Sequence, residues 1–510
     1  MSRLVVILWL SSFAALFAAD RPDLLRFTNG DQLHGTFQGI KVGPQAIWLR
    51  DDLEAPVDFE TERIRHIVLH GGRPIKALES LSHAGLVNGD RIPGIITEID
   101  DEHITMDTVF AGALRIPRNQ VAILSPNPLG GRVYYHGPFS EDDWKMTHVA
   151  FPDGLPETTL TDAVPDKNET ADEAPNDPPG RWVFSGSAWY WQNKTPGTAL
   201  IHKTGMPDRA VLSFDIAWKS RLSIAVAFHA DFAPARILDE NDKGANQARN
   251  FVPGDTSNLP RLFGNSYVLQ LVSNYLMMFR TSVDADGNPS LERVQMNNNN
   301  LRLGETGNAK VEIRSNRRSG AVSLFVNDEF VAQWSESDLV DRNGESFGGK
   351  GSGFGFLVQG GDSPVRISDI VVSEWNGMPD SARSLQIDDQ DVVLMANGTD
   401  RYAGKVGQLD ADGKIRFEGK HGSFRFPIDE VAEIRFASEN LAPAGETPAD
   451  NVLVRLNPIG SVSGRPISGD GSMLGIANPI IGNMNLSMDS AVMLEFNASN
   501  QFIDDWDADF

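Results

Sequence analysis

Apolar and polar residues alternate in steps of two over most of this chain, and no long stretch carries the three-to-four-residue spacing of an amphipathic helix. Residues 209–218, 222–229, 267–279, 310–314 and 321–326 each set apolar side chains on one side and polar ones on the other. That period predicts half-buried antiparallel strands. Nearer the N-terminus, residues 25–35 and 85–94 read alike, each with an Asn-Gly-Asp triplet (Asn29-Gly30-Asp31 and Asn88-Gly89-Asp90) 59 positions apart. Asn-Gly supplies the positive φ angles of a tight hairpin turn, so each stretch predicts a hairpin.

The match extends beyond the triplet. Both stretches run on through another strand to endings of one form, Val57-Asp58-Phe59 with Ile64 and Ile67, and Leu114-Arg115-Ile116-Pro117 with Val121 and Ile123. A third copy follows Asn397-Gly398 and closes on Phe424-Arg425-Phe426-Pro427 with Val431 and Ile434, and a more degraded fourth starts sixty positions after Asn397. The repeats are placed at 22–72, 80–126, 385–438 and 450–498. A unit of about 50 residues with five short strands can close into a small barrel, which removes exposed sheet edges. Bodies this small are marginal alone, so neighbouring barrels are expected to pair and to flank whatever lies between them.

Residues 129–380 lie between the two pairs and read as strands throughout, interrupted by an acidic, Pro-rich loop at 151–180 and a second long polar loop at 232–263. The expected fold class is therefore all-β: a central antiparallel β-sandwich of the jelly-roll kind with paired small barrels on either side.

Composition narrows the function. With 45 Lys and Arg against 69 Asp and Glu the net charge is −24, which repels phosphate backbones and argues against nucleic acid as a partner. Zero cysteines exclude disulfides, thiolate nucleophiles and Cys-ligated zinc. Residues 1–19 carry Arg3 and then a 14-residue apolar run ending in small residues, the layout of a signal peptide and short of the roughly 20 residues a membrane span needs. The expectation is export to the periplasm or the extracellular space, with no membrane span after signal cleavage; a leader retained as an anchor is the alternative.

Trp182-Val183-Phe184-Ser185-Gly186, Ala199-Leu200-Ile201, the 212–216 strand, Val311-Glu312-Ile313-Arg314, Gly320 to Asn327 with Trp334, and Gly353-Phe354-Gly355-Phe356 follow one another in an order that resembles the concanavalin A-like lectin/glucanase jelly-roll superfamily, most nearly its laminin-G-like members. The resemblance covers about half the chain and implies a carbohydrate- or protein-binding role. The small repeats resemble SH3-like or Sm-like barrels in layout. A fainter similarity to bacterial 3-keto-disaccharide hydrolase-type domains carries over Tyr267 and Gln270 alone.

Glu98-Ile99-Asp100-Asp101-Glu102 has the two-residue spacing of a glycosidase pair, but it falls at a turn of the second barrel, where carboxylates share no face. Asp284-Ala285-Asp286-Gly287 and Asp410-Ala411-Asp412-Gly413 place glycine too early for a calcium loop and read as hairpin turns. No cofactor is expected, and calcium held across loops stays open. Sugar binding needs flat aromatic surfaces and a few orienting polar groups. The candidates are Trp189 and Trp191, which share one face of their strand, with Trp218, His229, Tyr267, Gln270 and Arg280; His229 is placed with Ala225 and Ala227, away from the core. The leading reading is an exported non-catalytic binder of glycan or a cell-surface protein. A carbohydrate-active hydrolase or lyase on the same sandwich, and a scaffold acting through its barrels, are the alternatives.

Overall fold

The hairpins form where the Asn-Gly pairs fall. Gly30, Gly89 and Gly398 adopt φ of 90°, 89° and 74°, and the Asn29 and Asn88 side chains accept the amide hydrogens of Asp31 and Asp90. In this computed structural model, residues 22–149, 180–191, 197–203, 205–236, 256–294, 301–327, 329–335, 348–360, 364–377, 387–445 and 450–496 are described. The leader at 1–19 and nearly all of the acidic loop at 151–180 lie outside them. The described residues are overwhelmingly strand, and the all-β fold class holds. No helix among them is long and apolar enough to cross a membrane.

The first repeat contains strands Asp23–Phe27, Gln32–Lys41, Gln45–Leu49, Val57–Glu60 and Ile64–Val68, with a single 3-10 turn, Thr61–Arg63, before the last. The first strand pairs with both the second and the fifth, which curls the sheet towards closure. Asp391–Met395 to Val431–Arg435 and Val452–Leu456 to Ala491–Phe496 repeat this order, 3-10 turn included. So does His83–Leu86 to Val121–Ser125, whose second strand is broken at Gly94.

The barrels do not pair as neighbours in the chain. The last strand of each has one edge taken by its own first strand and the other edge unpaired, and two such edges meet. Ile67 and Val68 pair with Leu494 and Met493, joining the first barrel to the fourth; Ile123 and Leu124 pair with Arg435 and Ile434, joining the second to the third. Pairing consumes the backbone donors that an exposed edge would leave unpaired. Ile40 against Gly469 adds to the joint of the first barrel with the fourth, Arg91 against Ser461 ties the two pairs together, and Leu25, Ile104, Phe417 and Val454, one from each barrel, belong to a single apolar cluster. Instead of flanking the sandwich, the four barrels gather on one side of it.

The sandwich is thus an insertion between two barrels that touch. Its ends lie side by side, with Val133–Gly137 paired to Val365–Glu374 and the Gly131 amide donating to the Glu374 carbonyl at 2.8 Å. An eight-stranded sheet faces a seven-stranded one, and Phe214, Ile216, Ile313 and Leu324 of the first pack against Val226, Phe228, Leu269 and Phe356 of the second. The 232–263 segment differs from expectation at its end: Leu259–Phe263 is a one-turn helix whose Leu259, Leu262 and Phe263 are buried against Ala225, Ala227 and Val268 of the seven-stranded sheet. Residues 237–255 of that segment lie outside the described residues.

Candidate functional site

Five of the seven candidate residues point into the sandwich. Trp189 and Trp191 are wholly buried, packed on Phe184 and Trp182 at ring separations of 5.0 and 5.4 Å. Tyr190, between them on the opposite face, is also buried. A strand of alternating period exposes one face only when a single layer covers it, and the eight-stranded sheet is covered twice: Gly186 lies against Gln32 of the first barrel, and Val133 bonds to Pro458 of the fourth. The expected exposed tryptophan face is therefore absent from this strand. Trp218 is buried at the end of the same sheet, its indole N–H donating to the Gly304 carbonyl at 3.1 Å. Tyr267 stacks on Phe228, and its hydroxyl accepts the Gly348 amide at 3.0 Å.

His229 occupies the side opposite to that read from the alternation. The pairing of its strand with Gly353–Val358 slips between Phe228 and Ala230, and His229 takes the left-handed conformation, φ 50°. Such a bulge re-aims one side chain. The ring turns inward, and Nε2 lies 2.8 Å from the hydroxyl oxygen of Ser315 on the facing sheet. Burial, with Arg317 nearby, lowers the imidazole to about 3, so it stays neutral. Arg280 lies opposite Tyr267 at the margin of the core and is paired with Glu292 at 2.5 Å.

Only Gln270 stands on the outer face of the seven-stranded sheet. Part of that face lies under the Leu259–Phe263 helix, seated because Gly355 leaves room beneath the Phe263 ring. Past the helix, strand pairing sets Gln270 opposite Met277 and Val272 opposite Tyr275, with Gln359 beside Ser223. Gln270 Nε2 donates to Gln359 Oε1 at 2.7 Å, and both amides are buried. Gln270 Oε1 accepts no hydrogen bond among the described residues, a costly state for a buried acceptor. Tyr275, next to this pair, is 39% exposed. The strip thus joins an open aromatic ring, a thioether and two amides, groups suited to covering an apolar sugar face and orienting its hydroxyls. Tyr275, Met277 and Gln359 were missed in the sequence; the alternation of 275–279 held the signal, but only the strand register placed it beside Gln270.

The turns read as possible catalytic or calcium sites are engaged locally. Asp100 caps its turn by accepting the Glu102 and His103 amides, and Asp284 accepts those of Asp286 and Asn288. Asp410 is paired with Arg416 and Arg425.

A denser group of charges lies where the eight-stranded sheet meets the first and fourth barrels. Asp369, in a left-handed conformation at φ 46°, has its Oδ1 3.0 Å from His136 Nε2. Surrounding protein works to raise its pKa, but His136, Arg455 and Lys310 hold it well below the usual range. Asp215 moves the other way: burial and the charge of Asp369 push it up to about 7 against Lys310, Arg366 and Arg65. A carboxyl whose folded pKa exceeds its unfolded value of about 4 stabilises the fold below that value and loses this contribution as pH rises through the folded pKa. Replacement by Asp215→Asn is expected to raise the melting temperature relative to wild type progressively from pH 5 to pH 8. A difference that does not change with pH would refute the assignment. His66 and His83 are lowered by burial to about 3 and about 4, so their contribution to stability is lost below pH about 6.5 in both proteins.

The two facing antiparallel sheets define a β-sandwich. Among solved structures, the chain is similar to carbohydrate binding module CBM66 from Bacillus subtilis, at 12% identity over 38% of this chain and 92% of that one, TM-score 0.24. It is also similar to a galectin-like-fold protein from Bacillus subtilis, at 13% over 48% and 97%, TM-score 0.25, and to Caenorhabditis elegans galectin LEC-6, at 14% over 36% and 96%, TM-score 0.20. These likenesses concern fold alone. No family model and no curated protein matches the chain.

Proposed function

We propose that the chain is an exported, non-catalytic protein that binds carbohydrate on the outer face of its seven-stranded sheet, with SH3-like barrels gathered behind the sandwich as its docking body. The observation that carries this reading is exposed Tyr275 beside the Gln270–Gln359 amide pair on the outer sheet face, because an open aromatic ring is the group that covers the apolar face of a sugar. The strip is built from amide, hydroxyl, thioether and aromatic groups, which bind a sugar without cleaving it. The apolar run after Arg3, with the layout of a signal peptide, supports export. The fold's resemblance to the concanavalin A-like, laminin-G-like group points the same way.

A glycan array with the full mature chain and its Tyr275→Ala variant tests the proposal. A defined set of glycans is expected to bind the wild type, and the variant to bind about tenfold more weakly with an unchanged melting temperature. An array and a secreted-fraction pull-down that both show no wild-type binding would overturn it.

A further inference from the structure

Around the strip that carries Tyr275 the charge balance of the chain reverses. The whole protein holds 69 acidic against 45 basic residues, yet residues 217–225, 266–279, 301–304 and 353–360, which surround the strip, contain Lys219, Arg221 and Arg302 and no aspartate or glutamate. Two of these cations stand at the turn from which Tyr275 emerges. That turn is the pair Ser273-Asn274, between strands that set Val272 opposite Tyr275. Two other segments close on it. The Ser273 amide donates to the Leu222 carbonyl at 3.1 Å and the Leu222 amide to the Ser273 hydroxyl at 3.0 Å, while the Leu303 amide donates to the Ser273 carbonyl at 2.7 Å.

The alternation fixes where the arginines point. Ser223 lies opposite Val272 on the outer face and Leu222 packs in the core, so Arg221 returns to the outer face beside Asn274. Leu301 and Leu303 pack on the same core, which turns Arg302 outward between them. Both arginines are exposed, and neither makes a hydrogen bond or ion pair among the described residues. A lone surface arginine is simply solvated. Two that flank one open aromatic ring, on a surface without carboxylates, form a site with a chemical preference. The ring covers the C–H face of a pyranose, and a guanidinium fork meets a carboxylate in two-point fashion. A uronic acid presents both groups, with its carboxylate at the margin of the sugar ring.

On the reading of this strip as a carbohydrate site, we infer that it selects uronate-bearing glycans, with Tyr275 under a sugar ring and Arg221 and Arg302 on the carboxylates. A chain of uronates carries one carboxylate per sugar and can engage both arginines at once. The net charge of −24 repels such a chain at long range, so its affinity comes from short-range contacts at the strip.

Titration calorimetry on the full chain decides the matter, with tetrasaccharides of galacturonate, mannuronate and guluronate, the methyl ester of each, a sulfated galactan oligomer and neutral glycans as probes. The ester keeps the sugar and removes the charge. At least one free acid is expected to bind about tenfold or more tightly than its ester. Arg221→Gln/Arg302→Gln should erase that preference, keep the weaker binding of the ester, and leave the melting temperature within a degree or so because both positions are exposed. Tyr275→Ala should weaken acid and ester alike. Equal affinity for acid and ester, a sulfated oligomer bound as tightly as the uronate, or a preference for the acid that survives in the double variant would each overturn the inference. Tyr275-dependent binding of neutral glycans alone would overturn it and leave the carbohydrate reading standing, whereas binding of no glycan at all would overturn both.

Discussion

Replacing Trp191 with alanine is expected to destabilise the sandwich by about 3–5 kcal/mol, the cost of emptying a fully buried indole site that cannot collapse. Trp191 has no exposed surface, packs on Trp182, and lies in a strand hydrogen-bonded on both edges, to Trp182–Phe184 and to Val365–Glu374. Denaturant titration followed by near-UV circular dichroism is the measurement. A tryptophan that served as a sugar platform would behave in the opposite way, with stability kept and binding lost. An unchanged unfolding midpoint in Trp191→Ala would therefore restore the platform reading and displace Tyr275 from its place in the proposal.

The second large effect is expected in the barrels. Asp391, 7% exposed at the head of the third barrel, accepts the amide hydrogens of Val406 and Ala437, both at 2.9 Å, and so staples its first strand to the second and to the chain beyond the fifth. Asp23 does the same in the first barrel, accepting from Phe37 at 2.9 Å and His70 at 2.8 Å. Each of these aspartates stands six positions before its turn asparagine, as do Ser82 and Asn451 in the other two repeats. Removing the carboxylate leaves two buried N–H groups without an acceptor, at about 1–3 kcal/mol each. Asp391→Ala is thus expected to lose about 2–5 kcal/mol and to speed amide exchange at Val406 and Ala437, with Asp391→Asn recovering part of both. If exchange at the two amides is unchanged in the alanine variant, the staple is not what holds the barrel.

The candidate site was legible only in part, for reasons that differ by residue. Gln270 was found because a polar residue inside the apolar alternation of 267–272 signals a face that is not plain core. Trp189 and Trp191 misled because aromatic density reads the same in a core as on a binding surface, and the second covering layer comes from distant barrels. His229 was placed on the wrong side because one slip of register at Phe228 inverts what a two-residue period assigns.

By itself, the sequence determined the strands and their tight turns, because a two-residue period and an Asn-Gly pair act between residues a few positions apart. Tertiary structure decided which strand edges met, which sheet was buried on both faces and which polar groups came together. Barrels built on the same plan offer nearly identical edges, and choosing first with fourth and second with third depends on how an inserted sandwich with adjacent ends lets those edges approach. That choice is a competition among long-range contacts, and no short window of the chain contains it.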